Sequence, residues 1–189
     1  MSLYCQVAPG HPVHGAYHDS EYGFPQRDET VLFERLCLEI MQAGLSWEIV
    51  LKRRAGMRAA FQGFAVDHVA AADPASLLAD PAIIRNRLKV AAVIENARRV
   101  QALRRSHGGF AAWLDAHHPR DKAAWTRLFR ATFLFTGGEI VGEFLMSLGY
   151  LPGAHAAQCP VAARIAALAP PWMQAADFAA APDGAKGGG

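Results

Sequence analysis

Lysine, cysteine, β-branched alternation and long apolar runs are all scarce in this chain of 189 residues. No uncharged stretch approaches the roughly 20 residues that a membrane-crossing helix needs, so the apolar residues are expected in a folded core and not in a bilayer. The three cysteines, Cys5, Cys37 and Cys159, are odd in number and far apart. That excludes a disulfide framework and fits a reducing, cytoplasmic compartment. The opening MSLYCQVAPGHPVHG has neither a basic start nor an apolar centre and does not read as a secretory signal. Lys plus Arg exceeds Asp plus Glu by 19 − 17 = +2, which excludes a polycation that binds by charge alone. Only four of those 19 basic residues are Lys. Arginine suits bidentate and stacking contacts with phosphates, but an Arg- and Ala-rich chain is equally what a GC-rich coding sequence yields.

What remains is helical patterning, and the expected fold class is all-α. Apolar positions Val31, Leu32, Leu36, Ile40 and Ala43 form a stripe between a capping Asp28 and a terminating Gly44. Ser46 caps a second helix that runs to about Ala60. Asp73-Pro74 is a further helix start. A long helix is expected from Asn86 to His107, with Leu88, Ala91, Ala92, Ile94, Ala97, Val100 and Leu103 as its buried face, stopped by Gly108-Gly109. Phe110 to His117, Lys122 to Leu134, Glu139 to Leu148 and Ala162 to Ala169 follow, the last ended by Pro170-Pro171. A chain of this length reads as one domain, residues 1–178. The final AAAPDGAKGGG, 179–189, has little to bury and is expected to be a disordered tail.

Three groups of residues carry chemistry. His155-x-x-x-Cys159 spaces an imidazole and a thiolate so that both can face one ion, and Cys5 with His18 would complete a Cys₂His₂ set. The alternative is scattered His and Cys, since eight histidines are available. Cys37, on an apolar stripe, reads as a small core residue. Glu39 sits inside the apolar LCLEIMQAGLSW, where an unpaired carboxylate is costly to bury. It faces either solvent, paired with Arg35 one turn earlier, or a slot walled by Tyr17 and Trp47 that suits a flat, cationic, amine-bearing ligand. Finally, Thr136-Gly137-Gly138 between two helices is either an ordinary connection or a hairpin whose backbone N–H groups approach a phosphate.

The segments YHDSEYGFP, LFERLCLEIMQAGLSWEIVLKRR, IIRNRLKVAAVIENAR, FTGGEIVGEFLMSLG and HAAQC, in that order over about residues 4 to 160, resemble the DNA-3-methyladenine glycosylase I family of the helix–hairpin–helix glycosylase superfamily. The resemblance implies two helical lobes with a base pocket between them and termini tied by one structural Zn²⁺ on Cys5, His18, His155 and Cys159. It implies a base contact and catalytic role at Glu39, with base-binding aromatics at Tyr17, Trp47 and Tyr22. It places DNA contacts at Gly44, Leu45, Thr136, Gly137 and Gly138. The implied partners are double-stranded alkylated DNA and the product 3-methyladenine, with no membrane; the chain is expected to be a monomer. No Asp follows the hairpin, where Glu139 and Glu143 are the only acids before Leu148, and no lysine nucleophile is implied. Val7, His14 and Tyr22 depart from the family's aromatics. They leave open a member that binds another modified base or performs no catalysis.

Overall fold

The computed structural model describes residues 4–175. Among them there is no strand. The elements are α1 (Tyr4–Val7), α2 (Gly15–Ser20), α3 (Glu29–Gln42), α4 (Trp47–Ala60), a 3₁₀ turn at Gln62–Phe64, α5 (Val66–Ala70), α6 (Pro74–Ala79), α7 (Arg87–His107), α8 (Phe110–His117), α9 (Lys122–Thr132), α10 (Gly138–Ser147), α11 (Pro160–Ala166) and α12 (Pro171–Gln174). The expected tail at 179–189 lies outside the described residues.

Local chemistry sets most boundaries. The side chains of Asp28, Ser46, Asp73, Asn86 and Asp121 each accept from a backbone N–H in the first turn of the following helix. These caps satisfy donors that have no partner inside the helix. Gly108 ends α7 with φ +84°, and Gly44 turns the chain out of α3 with φ +78°, a conformation that costs glycine little. The last boundary differs from expectation: α11 stops at Ala166, and Pro171 opens α12, because proline is tolerated in a first helical turn.

α3 is the central element. It packs against α4, α7, α8 and α10, and every residue from Leu32 to Met41 is buried. The single apolar stripe expected for it is therefore a helix buried all round, including Glu34, Arg35 and Glu39. Charged residues at such depth require partners. Arg54 bonds both Glu34 (2.9 Å) and Glu21 (2.8 Å), while Arg58 reaches Glu34 at 2.8 Å. Arg35 bonds the Glu21 carboxylate at 3.2 Å and the Ser147 carbonyl at 3.4 Å.

On α7 the buried face keeps Ala92, Ile94, Ala97, Val100 and Leu103, as expected, but is shifted at its edge. Leu88 and Ala91 are exposed, whereas Lys89, Val93 and Asn96 point inward. Two polar residues cause this shift because each meets backbone. Lys89 Nζ donates to the carbonyls of Met41 (2.8 Å) and Ala43 (2.5 Å). It thus binds the C-terminal end of α3, where cations are favoured. Asn96 exchanges two hydrogen bonds with the backbone of Leu134, at 3.0 and 2.7 Å. Replacing Lys89 by Met leaves two carbonyls without their donor and is expected to cost about 1–3 kcal/mol. A urea midpoint equal to that of the unmodified protein would contradict this.

The two terminal segments meet beside this body. Cys159, Val161 and Ile165 pack with Cys5 and Phe24, and Tyr17, Tyr22 and Ala154 with Tyr4 and Trp47. Gly23 is at their junction. A Cβ there would lie 2.8 Å from Ile165 Cδ1 and 3.0 Å from Ala154 Cβ, so only glycine lets the segments close.

Candidate active site

A cavity of ≈ 470 Å³ opens between α1, α2, α3, the start of α4 and α10, lined by Tyr17, Tyr22, Glu39 and Trp47 among others. All four residues expected to contact a base therefore face one space. The positions where aromatics were expected and Val7, His14 and Tyr22 stand also line it.

Glu39 is 4% exposed. Arg35 does not pair with it, because its guanidinium is committed to Glu21 and Ser147 and lies 5.0 Å from the centre of the Tyr17 ring. The solvent-facing alternative for Glu39 is thereby overturned. No hydrogen bond to its carboxylate is present among the described residues. Burial, and then the nearby Glu143 carboxylate, push its pKa well above the ordinary range, while Arg35 opposes them. The Tyr17 hydroxyl is buried without a hydrogen-bond partner. Two polar groups without partners on one cavity wall are unusual in a folded protein.

The aromatic walls differ from a pair of parallel plates. Tyr17 and Trp47 meet edge to face, with centroids 5.1 Å apart and planes at 62°. Tyr17 and Tyr22 are more nearly parallel, at 32° and 5.8 Å. Tyr4, which the sequence reading missed, packs edge-on against Tyr22 at 5.7 Å. Glu143 was also missed as a wall residue. It is half-buried, lines the cavity, and accepts from the Tyr22 hydroxyl at 2.9 Å. Its spacing of four from Glu139 looked like the solvent face of a helix.

None of the remaining expected positions lines this cavity, although Gly44 and Leu45 lie in the chain between two residues that do, Gln42 and Trp47, and Gly138 precedes Glu139. Gly44 and Leu45 form an exposed turn between α3 and α4, with Leu45 38% exposed, held from below by Lys89. The hairpin runs from Phe133 to Gly137. Phe135 has φ +61°, Thr136 Oγ1 bonds the Phe133 carbonyl at 3.2 Å, and Asn96 fixes Leu134. No side chain caps α10, so the N–H groups of its first turn have no capping acceptor. Beyond Tyr22, the ligating atoms of Cys5, His18, His155 and Cys159 all lie within 4.8 Å of one another. The second nitrogen of each imidazole is already engaged, His18 with Asp19 at 2.7 Å and His155 with the Tyr22 carbonyl at 2.7 Å. That leaves His18 Nε2 and His155 Nδ1 turned toward the two sulfurs, an arrangement that orients imidazoles for a metal ion.

An acidic, aromatic cavity beside a helix–hairpin–helix is the layout expected of a DNA glycosylase acting on an extruded base. The family profile described as methyladenine glycosylase matches residues 7–132, and the chain belongs to that family. It is 36% identical over 144 residues to the DNA-3-methyladenine glycosylase 1 of Escherichia coli (strain K12), covering 74% of this chain and 77% of the relative. A crystal structure of a 3-methyladenine DNA glycosylase I is 32% identical, with a TM-score of 0.73 over 82% of this chain and 97% of that one. A Staphylococcus aureus 3-methyladenine DNA glycosylase I, solved to explain 3-methyladenine recognition, is 27% identical with a TM-score of 0.72, covering 84% and 95%.

Proposed function

We propose that this protein is a monofunctional DNA-3-methyladenine glycosylase, hydrolysing the bond between 3-methyladenine and deoxyribose in alkylated duplex DNA. The observation that carries the reading is the buried Glu39 carboxylate, without a protein partner, on the wall of a cavity with Tyr17, Tyr22 and Trp47. N3-methylation makes adenine cationic, which both weakens its glycosidic bond and supplies the charge that Glu39 lacks. Glu39 accepts from the base amine and favours the cationic form, while the rings supply stacking area worth about 1–3 kcal/mol per base. Water then attacks the sugar, and the base leaves with the bonding electrons, which neutralise its charge. Among the described residues no lysine lines the cavity, in keeping with hydrolysis without a covalent imine or strand cleavage. Release of free 3-methyladenine from methylated duplex is the test. Retention of the base under single-turnover conditions overturns the proposal.

DNA is held at the cavity mouth. Leu45, on its exposed turn, fills the gap left by the extruded nucleotide, with Gly44 allowing close approach. Thr136, Gly137 and Gly138 present α10's free N–H groups to a phosphate. This grip needs little side-chain charge, in keeping with a net charge of +2. Leu45→Ala is expected to slow base release from duplex roughly tenfold, since unstacking a paired base costs a few kcal/mol. Single-stranded substrate should lose much less, and an equal loss on both would remove Leu45 from this role.

The four-residue cluster holds one structural Zn²⁺. Its S···N separations of 3.6, 3.6 and 3.7 Å match the edge of about 3.6 Å expected for a tetrahedral ion at zinc–sulfur and zinc–nitrogen distances. The ion's contribution is mechanical: it joins the N-terminal segment to the one after α10, making the two helical lobes with the pocket between them. Thiolate ligands fit the reducing cytoplasm, and the expected form is a monomer. Because Val7, His14 and Tyr22 all line the pocket, a binding screen of free methylated bases tests the second reading. Preference for a base other than 3-methyladenine would favour a retargeted member.

A further inference from the structure

The pocket wall holds one more carboxylate than the reading above uses. Glu143 projects from α10, and its Oε2 accepts one hydrogen bond, from Tyr22. A carboxylate has about four acceptor positions, so most of its capacity is free. Glu139 lines the same cavity, but its side chain is 89% exposed and paired with Lys122 at 2.9 Å. Glu143 differs from it in being half-buried and in acting electrostatically on Glu39.

Among the described residues no Lys or Arg lines the cavity. Within it Glu39 and the Tyr17 hydroxyl, both more than nine-tenths buried, lack hydrogen-bond partners. Two carboxylates that face one cavity without a cation between them repel one another. A ligand relieves this fully only if it is positively charged and brings a donor to each. A cation with a single N–H leaves one carboxylate desolvated and unpaired, the arrangement that gives polar sites their strongest discrimination.

We propose that Glu143 is a specificity-determining residue of this pocket. With Glu39 it selects a cationic purine that offers at least two N–H donors, and Tyr22 holds it in position. The inference rests on the reading of the cavity as a base site. The amine of 3-methyladenine supplies two such donors; the base carries the charge while joined to the sugar, and after release only when protonated, whereas adenine at the same pH supplies the donors without the charge.

The test is calorimetric titration of free 3-methyladenine, at a pH that keeps it protonated, and of adenine at the same pH into the metal-loaded protein and four variants. Glu143→Gln is expected to weaken 3-methyladenine binding at least tenfold and to reduce the preference over adenine by a similar factor. Tyr22→Phe, which keeps the carboxylate but removes its tether, is expected to lose less. Glu143→Asp is expected to recover part of the preference, and it also guards against a Glu143→Gln chain that folds poorly. Three results overturn the proposal while leaving the base site intact: Glu143→Gln within twofold of the unmodified protein, an unchanged preference over adenine, or equal losses for Tyr22→Phe and Glu143→Gln. The last would make Glu143 a strut for the tyrosine. If the unmodified protein does not bind 3-methyladenine, or Glu39→Gln binds it as well, the base-site reading fails and the role of Glu143 fails with it.

Discussion

Glu39→Gln is expected to slow 3-methyladenine release from methylated duplex by roughly 10- to 150-fold, the equivalent of about 1.5–3 kcal/mol for a hydrogen bond to a charged group. Glutamine keeps the shape and one acceptor oxygen but removes the charge that opposes the base's own. Single-turnover release is the measurement, with metal content as a control that should not move. A rate within twofold of the unmodified protein would take Glu39 out of the chemistry. The same substitution has an opposite effect on stability. A carboxyl whose pKa is raised by folding stabilises the protein fully only below its unfolded value of about 4.3, and that contribution is lost as pH rises through the higher folded value. Glutamine does not ionise. Glu39→Gln should therefore melt above the unmodified protein at pH 8, with the gap closing toward pH 4. A pH-independent gap would contradict the elevated pKa. Losing activity while gaining stability is the signature of a group kept for function.

The second large effect concerns the metal ion proposed for Cys5, His18, His155 and Cys159. Removing the ion with a strong chelator, or one ligand as Cys159→Ala, releases a tie between Cys5 and a segment 150 or more residues away. An ion bound by the native state alone at 1,000 times its dissociation constant contributes about 4.1 kcal/mol. At roughly 2–4 °C per kcal/mol for a chain of this size, the melting temperature should fall by about 8–16 °C. Elemental analysis should find one zinc per chain before treatment and none after. A chain that melts unchanged without metal would show that packing at Gly23 and Phe24 closes the termini unaided.

The helices that could be read from the sequence were those with a side chain to start them and enough length to show a period. Asp28, Ser46 and Asp73 lie where their caps were expected, Asn86 caps the helix it was expected to begin, and α4 and α8 have the expected extents. α1, α2 and α5 were not legible. They have four to six residues, too few for a 3.6-residue repeat, and the surfaces they pack against come from distant sequence. The edge of α7's buried face was misjudged for a related reason. Periodicity counts Leu88 as inward and Lys89 as outward. The free carbonyls at the end of α3 and the backbone of Leu134, which reverse this, are tertiary facts. Within the pocket, Glu39 stood out as a charge in an apolar segment, Tyr17 and Trp47 offered one of two readings of its surroundings, and family resemblance chose that reading and added Tyr22. Tyr4 and Glu143 gave no such signal, because a tyrosine near a terminus and a glutamate one turn from another resemble ordinary surface. The Glu21–Arg54–Glu34 pairing was invisible for want of any local spacing rule.

Tyr22 is fastened at both ends, its carbonyl by His155 and its hydroxyl by Glu143. One of these anchors belongs to the metal cluster and the other to the pocket wall. The same tyrosine is thus shared between two sites, and a substitution that shifts His155 in the cluster is transmitted to the cavity wall through a single residue.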